Sequence, residues 1–196
     1  MSSTAPPTRH IGFLLIPGFA LMSAASAVEP LRAANLLSQR SCYRMTFLTS
    51  EGGLARSSVS EGGFQTRPMA EVTPDFDVLF VLAGGDPMAF RDPQVLAWLR
   101  RLDRAGTALG GISGGAAILA AAGVMAGRRF TAHWLHLDAL RDTYPDAMIE
   151  RRLFVTDRDR QTCAGGMAPL DMMHAMIATD HGIALARSVS DWLIHT

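Results

Sequence analysis

The chain has 196 residues, 48% of them hydrophobic and 18% charged, and its 18 Lys and Arg are balanced by 18 Asp and Glu. That composition excludes a disordered polymer, and a formal net charge of zero excludes a general electrostatic pull toward nucleic acid or a membrane surface. The length suits one full-sized domain with a sizeable core, and no apolar run is long enough to span a bilayer.

Residues 1–9 are polar and include Pro6 and Pro7. They lack the apolar core of a secretory signal, so a short disordered tail, a single domain over residues 10–196 and a cytoplasmic location are expected, with no membrane partner. Cys42 and Cys163 stand alone, without C-x-x-C spacing, and are expected to be reduced thiols.

Ile11 to Ile16 is a continuous apolar run, the pattern of a strand buried on both faces, and Pro17-Gly18 ends it. Met22 to Leu37 reads as a helix and Tyr43 to Leu48 as a second strand. Gly52-Gly53 and Gly62-Gly63 bracket Ser57 to Ser60, a minor strand or hairpin. Phe76 to Leu82, apolar apart from Asp77, reads as another buried strand, ending in Ala83-Gly84-Gly85-Asp86-Pro87. Pro93 to Ala105 has helical spacing, and a short strand, Thr107 to Leu109, follows. After a helix over Ala116 to Ala122, Arg129 to Ala132 reads as a strand and Trp134 to Tyr144 as a helix. Met148 to Val155 and Arg160 to Cys163 read as strands joined by a charged surface turn, Asp157-Arg158-Asp159-Arg160. A Met-rich helix, Pro169 to His181, and a last helix, Ile183 to Thr196, close the chain. Strands alternating with helices imply a mostly parallel sheet covered on both faces, with the site outside the carboxyl ends of the strands. Four strand ends, Pro17-Gly18, Gly84-Gly85, Ser113 and His133, are therefore expected to converge.

Gly110-Gly111-Ile112-Ser113-Gly114-Gly115-Ala116 lies between the short strand and the helix at Ala116. A strand that turns sharply into a helix around one small polar residue is a nucleophile elbow, and its helix start offers free N–H groups and a positive dipole end.

The first strand with Pro17-Gly18-Phe19, the Ala83-Gly84-Gly85 loop, the elbow, the run Ala122 to Arg129 and Thr131-Ala132-His133-Trp134 together resemble the class I glutamine amidotransferase-like (PfpI-like) superfamily. The resemblance implies a flavodoxin-like three-layer α/β sandwich. It is strongest to the N-terminal regulatory domain of AraC-type transcription regulators, in which a helix-turn-helix DNA-binding domain follows. It implies a homodimer, DNA contact only through that following domain, which this chain does not contain, and a small effector of the amino-acid or betaine type. Catalytic members place cysteine at the elbow, where this chain has Ser113, and many place an acidic residue on the first helix, where it has Ser23.

A serine nucleophile needs an adjacent base that is itself oriented by a third group. With no carboxylate evident beside His133, the reading is a pocket that binds and does not catalyse, needing no cofactor. Ser23, Gly84, Gly85, Asp86, Ser113, Gly114, His133 and Trp134 are its expected ligand-binding residues. Backbone N–H groups of Gly84, Gly85 and Gly114 would receive a ligand carboxylate, and the face of Trp134 would receive a cation; core packing is the alternative for Trp134. The rival is a hydrolase or lyase using Ser113 with His133, its carboxylate supplied by Asp86 or Glu29. Glu29 also has Arg32 three residues on, which favours a solvated pair. His133 and His136 have a metal-compatible spacing, but no motif places a third ligand, so no metal is expected. Met172, Met173 and Met176 are expected in the core.

Overall fold

A computed structural model describes residues 6–59 and 61–195. In chain order the elements are β1 (Arg9–Leu15), α1 (Leu21–Ser38), β2 (Tyr43–Thr49), β3 (Gly53–Arg56), β4 (Gly63–Pro68), β5 (Val78–Ala83), α2 (Pro93–Arg104), β6 (Ala108–Ser113) and α3 (Gly115–Ala121). They continue with β7 (Arg129–Phe130), α4 (Leu137–Thr143), β8 (Met148–Ile149), β9 (Phe154–Asp157), β10 (Arg160–Cys163), α5 (Ala168–His181) and α6 (Ile183–Trp192).

Eight strands form one sheet in the order β3-β4-β2-β1-β5-β6-β10-β9. Its six central strands run parallel and both edge pairs, β3–β4 and β9–β10, run antiparallel. The side-chain period of two divides the buried strands between two cores. Phe13, Leu15, Phe80 and Leu82 pack with α1, α5 and α6 on one face, whereas Leu14, Leu79, Val81 and Leu109 pack with α2, α3 and α4 on the other. This is the expected flavodoxin-like three-layer sandwich. Met172, Met173 and Met176 are buried in the first of those cores. No helix among the described residues is long and apolar enough to cross a membrane.

Several local expectations are corrected. Residues 1–5 of the expected tail lie outside the described residues, and Arg9 is not tail: it opens β1 and its guanidinium bonds Asp180 on α5 at 2.6 and 2.7 Å. Of the minor strand or hairpin expected around Ser57 to Ser60, it is the hairpin that forms, β3 pairing with β4 on either side of that segment. Ser57 only bridges to Phe19, and Ser60 lies outside the described residues. The single strand expected over Met148 to Val155 is two, because its halves join different sheets: β8 pairs with β7 and β9 with β10. Trp134–His136 is a 3-10 turn before α4, and the last helix stops at Trp192, with Thr196 outside the described residues.

Two corrections have packing causes. β6 runs through Gly110 and Gly111 to Ser113, longer than a glycine-rich segment suggests. A Cβ on Gly110 would lie 2.2 Å from the Phe80 ring, and one on Gly111 would lie 2.5 Å from the Ala116 nitrogen, so these glycines are strand positions crowded from above. Arg160 does not belong to a surface turn. It is 2% exposed, donates from Nε to the Val124 carbonyl at 2.9 Å, and ion-pairs with Asp103 and, at 3.0 Å, with Asp159.

Candidate functional site

The elbow is formed as its sequence implies. Ser113 ends β6 with φ at +59°, in the left-handed region that costs a side-chain-bearing residue about 1–2 kcal/mol. α3 begins two residues later at Gly115, where a Cβ would lie 1.8 Å from the Val81 carbonyl oxygen, so only glycine lets the helix start this close to β5.

The four strand ends converge. A Cβ on Gly84 would sit 2.6 Å from the Gly18 carbonyl oxygen, one on Gly114 would sit 2.8 Å from Pro87 Cγ, and the His133 N–H donates to the Ser113 carbonyl at 3.2 Å. Within that convergence the eight expected residues divide into separate groups. Gly84, Gly85 and Asp86 line a depression of about 260 Å³ with Pro17 and Gly18. His133 and Trp134 line a second cleft, of about 370 Å³, with Leu153, Gly165, Gly166, Met167 and Asp171.

Several of the expected groups are already engaged in bonds within the site. The Gly114 N–H already donates to the Ala83 carbonyl at 3.1 Å, which closes the β5–β6 ends together and commits that donor. The Asp86 carboxylate accepts from the Met88 N–H at 3.1 Å and so caps a 3-10 turn. His133 Nδ1 accepts from the Leu135 N–H at 3.3 Å, so the ring caps the turn that follows it. Glu29 is held by Arg32 at 2.6 Å on the exposed side of α1. Trp134 is half exposed and is not a core residue; the Arg151 guanidinium already lies 4.7 Å from the centre of its ring.

Ser23, at the position where the resemblance implies an acid, is buried, and its hydroxyl accepts from the Gly166 N–H at 2.8 Å. Gly166 and Gly165 form the loop after β10, and Gly165 lies directly on Ser113. Ser23 thus anchors the loop that covers the elbow. The His133 and His136 rings are 5.7 Å apart, and burial together with the neighbouring His133 lowers the His136 pKa. Among the described residues no group of three His, Cys, Asp or Glu is placed to hold a metal ion.

Sequence reasoning missed Cys163, Gly165, Gly166 and Asp171. Cys163 pairs in register with Ile112, is wholly buried beneath the elbow, and has its thiol pushed up to about 12 by burial. Gly165-Gly166 carries the same signal as Gly84-Gly85, a glycine pair at a strand end, and that signal was available for it. Asp171 had no such signal, because it reads as an ordinary first-turn carboxylate of α5.

The fold and the elbow define a flavodoxin-like α/β domain with a strained serine at its strand-to-helix turn. The DJ-1/PfpI family model matches residues 11–179, and the chain belongs to that family. It is 47% identical to the HTH-type transcriptional regulator GlxA of Rhizobium meliloti, over 99% of this chain and 60% of that protein. It is 42% identical to the HTH-type transcriptional regulator CdhR of Pseudomonas aeruginosa, over 93% of this chain and 54% of that one. The chain therefore spans little more than half the length of these curated relatives. A crystal structure of an AraC family transcriptional regulator from Pseudomonas putida superimposes with a TM-score of 0.86 at 27% identity, covering 94% of this chain and 99% of the other.

Proposed function

We propose that this chain is the small-molecule-sensing part of an AraC-type transcription regulator, and that the cleft beside its elbow binds a ligand while the elbow does not catalyse. The likeness to HTH-type regulators along nearly the whole chain supports the regulatory half of the reading. One observation carries the non-catalytic half: around Ser113 the groups that a relay would need are committed elsewhere. His133 accepts a backbone N–H on Nδ1, Asp86 caps a turn, Glu29 holds Arg32, Asp171 in the His133 cleft bonds His195, and the Ser23 hydroxyl accepts from Gly166. A serine hydroxyl without an oriented base is a weak nucleophile.

The effector, an amino acid or betaine-like metabolite, enters the cleft of His133 and Trp134 beside the elbow. Gly84 and Gly85 belong to the neighbouring depression and shape the elbow from the β5 side. The regulator works as a homodimer in the cytoplasm and reaches DNA through a helix-turn-helix domain outside this chain. Occupancy acts through the difference in ligand affinity between two arrangements of that assembly.

The test is a thermal-shift screen with arginine and other amino acids, glycine betaine, carnitine and choline, repeated on Ser113→Ala. A ligand at a hundred times its Kd stabilises by about 2.7 kcal/mol, a readily measured shift. Binding that survives in Ser113→Ala is the expected result. A hydrolytic or lyase activity abolished by that same substitution would replace this reading with the enzyme one.

A further inference from the structure

Asp171 belongs to two structures at once. Asp171 is among the residues lining the 370 Å³ cleft, and its Oδ1 accepts a hydrogen bond from His195 Nε2 at 3.1 Å. His195 lies beyond the end of α6, and the chain turns sharply to deliver it. Ile194 has φ at +53°, and the His195 N–H bonds back to the Ser190 carbonyl at 2.9 Å. A β-branched residue in the left-handed region is a conformational outlier. Ile194 is also 91% exposed, so no burial of its side chain repays the strain. The contact held in place by that turn is the one between His195 and Asp171.

The cleft itself says what Asp171 is suited to recognise. Its other walls are Trp134, Leu153, Met167 and the small residues of the Gly165-Gly166 loop, with His133 at one side. The Gly166 N–H is spent on Ser23. Among the described residues Asp171 is thus the one carboxylate of a wall that is otherwise aromatic, aliphatic or glycine apart from the His133 imidazole; the Trp134 ring there already carries the Arg151 guanidinium, so an organic cation would meet Asp171 in its place or beside it. A carboxylate in such surroundings favours a weakly hydrated organic cation, whose apolar shell suits the walls while its charge meets the acid.

We propose that Asp171 is the cation-recognising group of this cleft and that His195 is its internal occupant, so that an organic cation entering the cleft displaces His195 and frees the segment after α6. The inference rests on the reading of the cleft as an effector site and adds the ligand's charge and the means by which its arrival is felt at the end of α6. Release lets Ile194 leave the left-handed region, so backbone strain favours the switched form and the Asp171–His195 bond opposes it.

The experiment is calorimetric titration of the 196-residue chain and of His195→Ala, Asp171→Asn and Ile194→Gly with choline, glycine betaine and millimolar guanidinium, together with amide exchange at Leu193–His195. Removing the internal competitor in His195→Ala is expected to tighten choline binding by about two- to fivefold, the worth of one partly exposed pair. Asp171→Asn is expected to abolish binding, and Ile194→Gly, which relaxes the latched form, to weaken it. Exchange at 193–195 is expected to quicken with choline and in His195→Ala without it. Glycine betaine against choline shows whether a carboxylate on the ligand adds to recognition of the cation. Equal affinity in His195→Ala and the parent, binding retained by Asp171→Asn, or no cation binding to any variant each overturns the proposal. In the last case, a neutral or anionic metabolite that raises Tm would leave the effector site standing and the latch refuted.

Discussion

Gly165 closes over Ser113: a Cβ on Gly165 would sit 2.6 Å from the Ser113 Cβ and 2.8 Å from its Oγ, and Gly165 itself has φ at +88°. The elbow is therefore roofed by backbone, and both steric room and conformation demand glycine in the roof. Gly165→Ala is expected to lower stability by about 1–3 kcal/mol, because the new methyl group meets Ser113 and the backbone is strained. Urea denaturation measures it, and an unchanged midpoint would show that the loop can lift.

Ser113→Gly should do the opposite. It removes the cost of a side chain at φ +59° and leaves the elbow's turn intact. After allowance for the greater freedom of glycine in the unfolded chain, a net gain of about 0.5–1 kcal/mol is expected. A loss of stability would mean that the Ser113 side chain makes contacts worth more than the strain. Ser113→Ala, which keeps the strain, is expected to leave the midpoint nearly unchanged, so the pair separates backbone from side chain.

Asp159 links β10 to its surroundings, pairing with Arg128 at 2.7 Å and with Arg160 at 3.0 Å. The hydrogen bond from Arg128, with the charges of Arg160 and Arg128, lowers its pKa from 3.8 to about 2. A carboxyl whose folded pKa lies below its unfolded value binds fewer protons when native. Its contribution is thus complete above the unfolded pKa and is lost as the pH falls from about 4 toward 2. Urea midpoints measured between pH 6 and pH 2 should drop across that window, and Asp159→Asn should flatten the drop while leaving the acid limit alone.

Arg160 is the buried member of the same network. Arg160→Ala leaves Asp103 and the Val124 carbonyl without their partner, and a loss of about 3–5 kcal/mol is expected. Arg160→Met fills the space without the charge and should recover part of it. If both variants are equally unstable, hydrogen bonding at this position outweighs packing.

Cys163 and Cys42 are both buried, and burial pushes the Cys163 thiol up to about 12. A thiol held protonated and covered is inert. Titration with a chromogenic disulfide at pH 8 should find no reactive thiol in the folded chain and both after denaturation. Rapid reaction of Cys163 in the native state would indicate that the β10 loop opens far enough to uncover the elbow.

Apolar runs such as Ile11 to Ile16 and Val78 to Leu82 announce buried parallel strands by themselves, since a strand covered on both faces is apolar at every position. The glycines around Ser113, set between an apolar strand and a helix, announce the elbow. Local chemistry of this kind is legible in sequence, and with it the family, the fold and the convergence of four strand ends. What becomes of each polar group after convergence is a long-range matter. Gly114 spends its N–H on Ala83, Ser23 reaches 143 residues along the chain to Gly166, and Asp171 meets His195 across the α5–α6 hairpin. A hydrogen-bonding group saturates once it finds a partner, and the nearest partner in space is set by packing, which no spacing along the chain records. The sequence by itself thus determined the frame and the candidate groups; the tertiary structure alone decided which groups were already committed, that Arg160 was core and not surface, and that the acid of the cleft is Asp171.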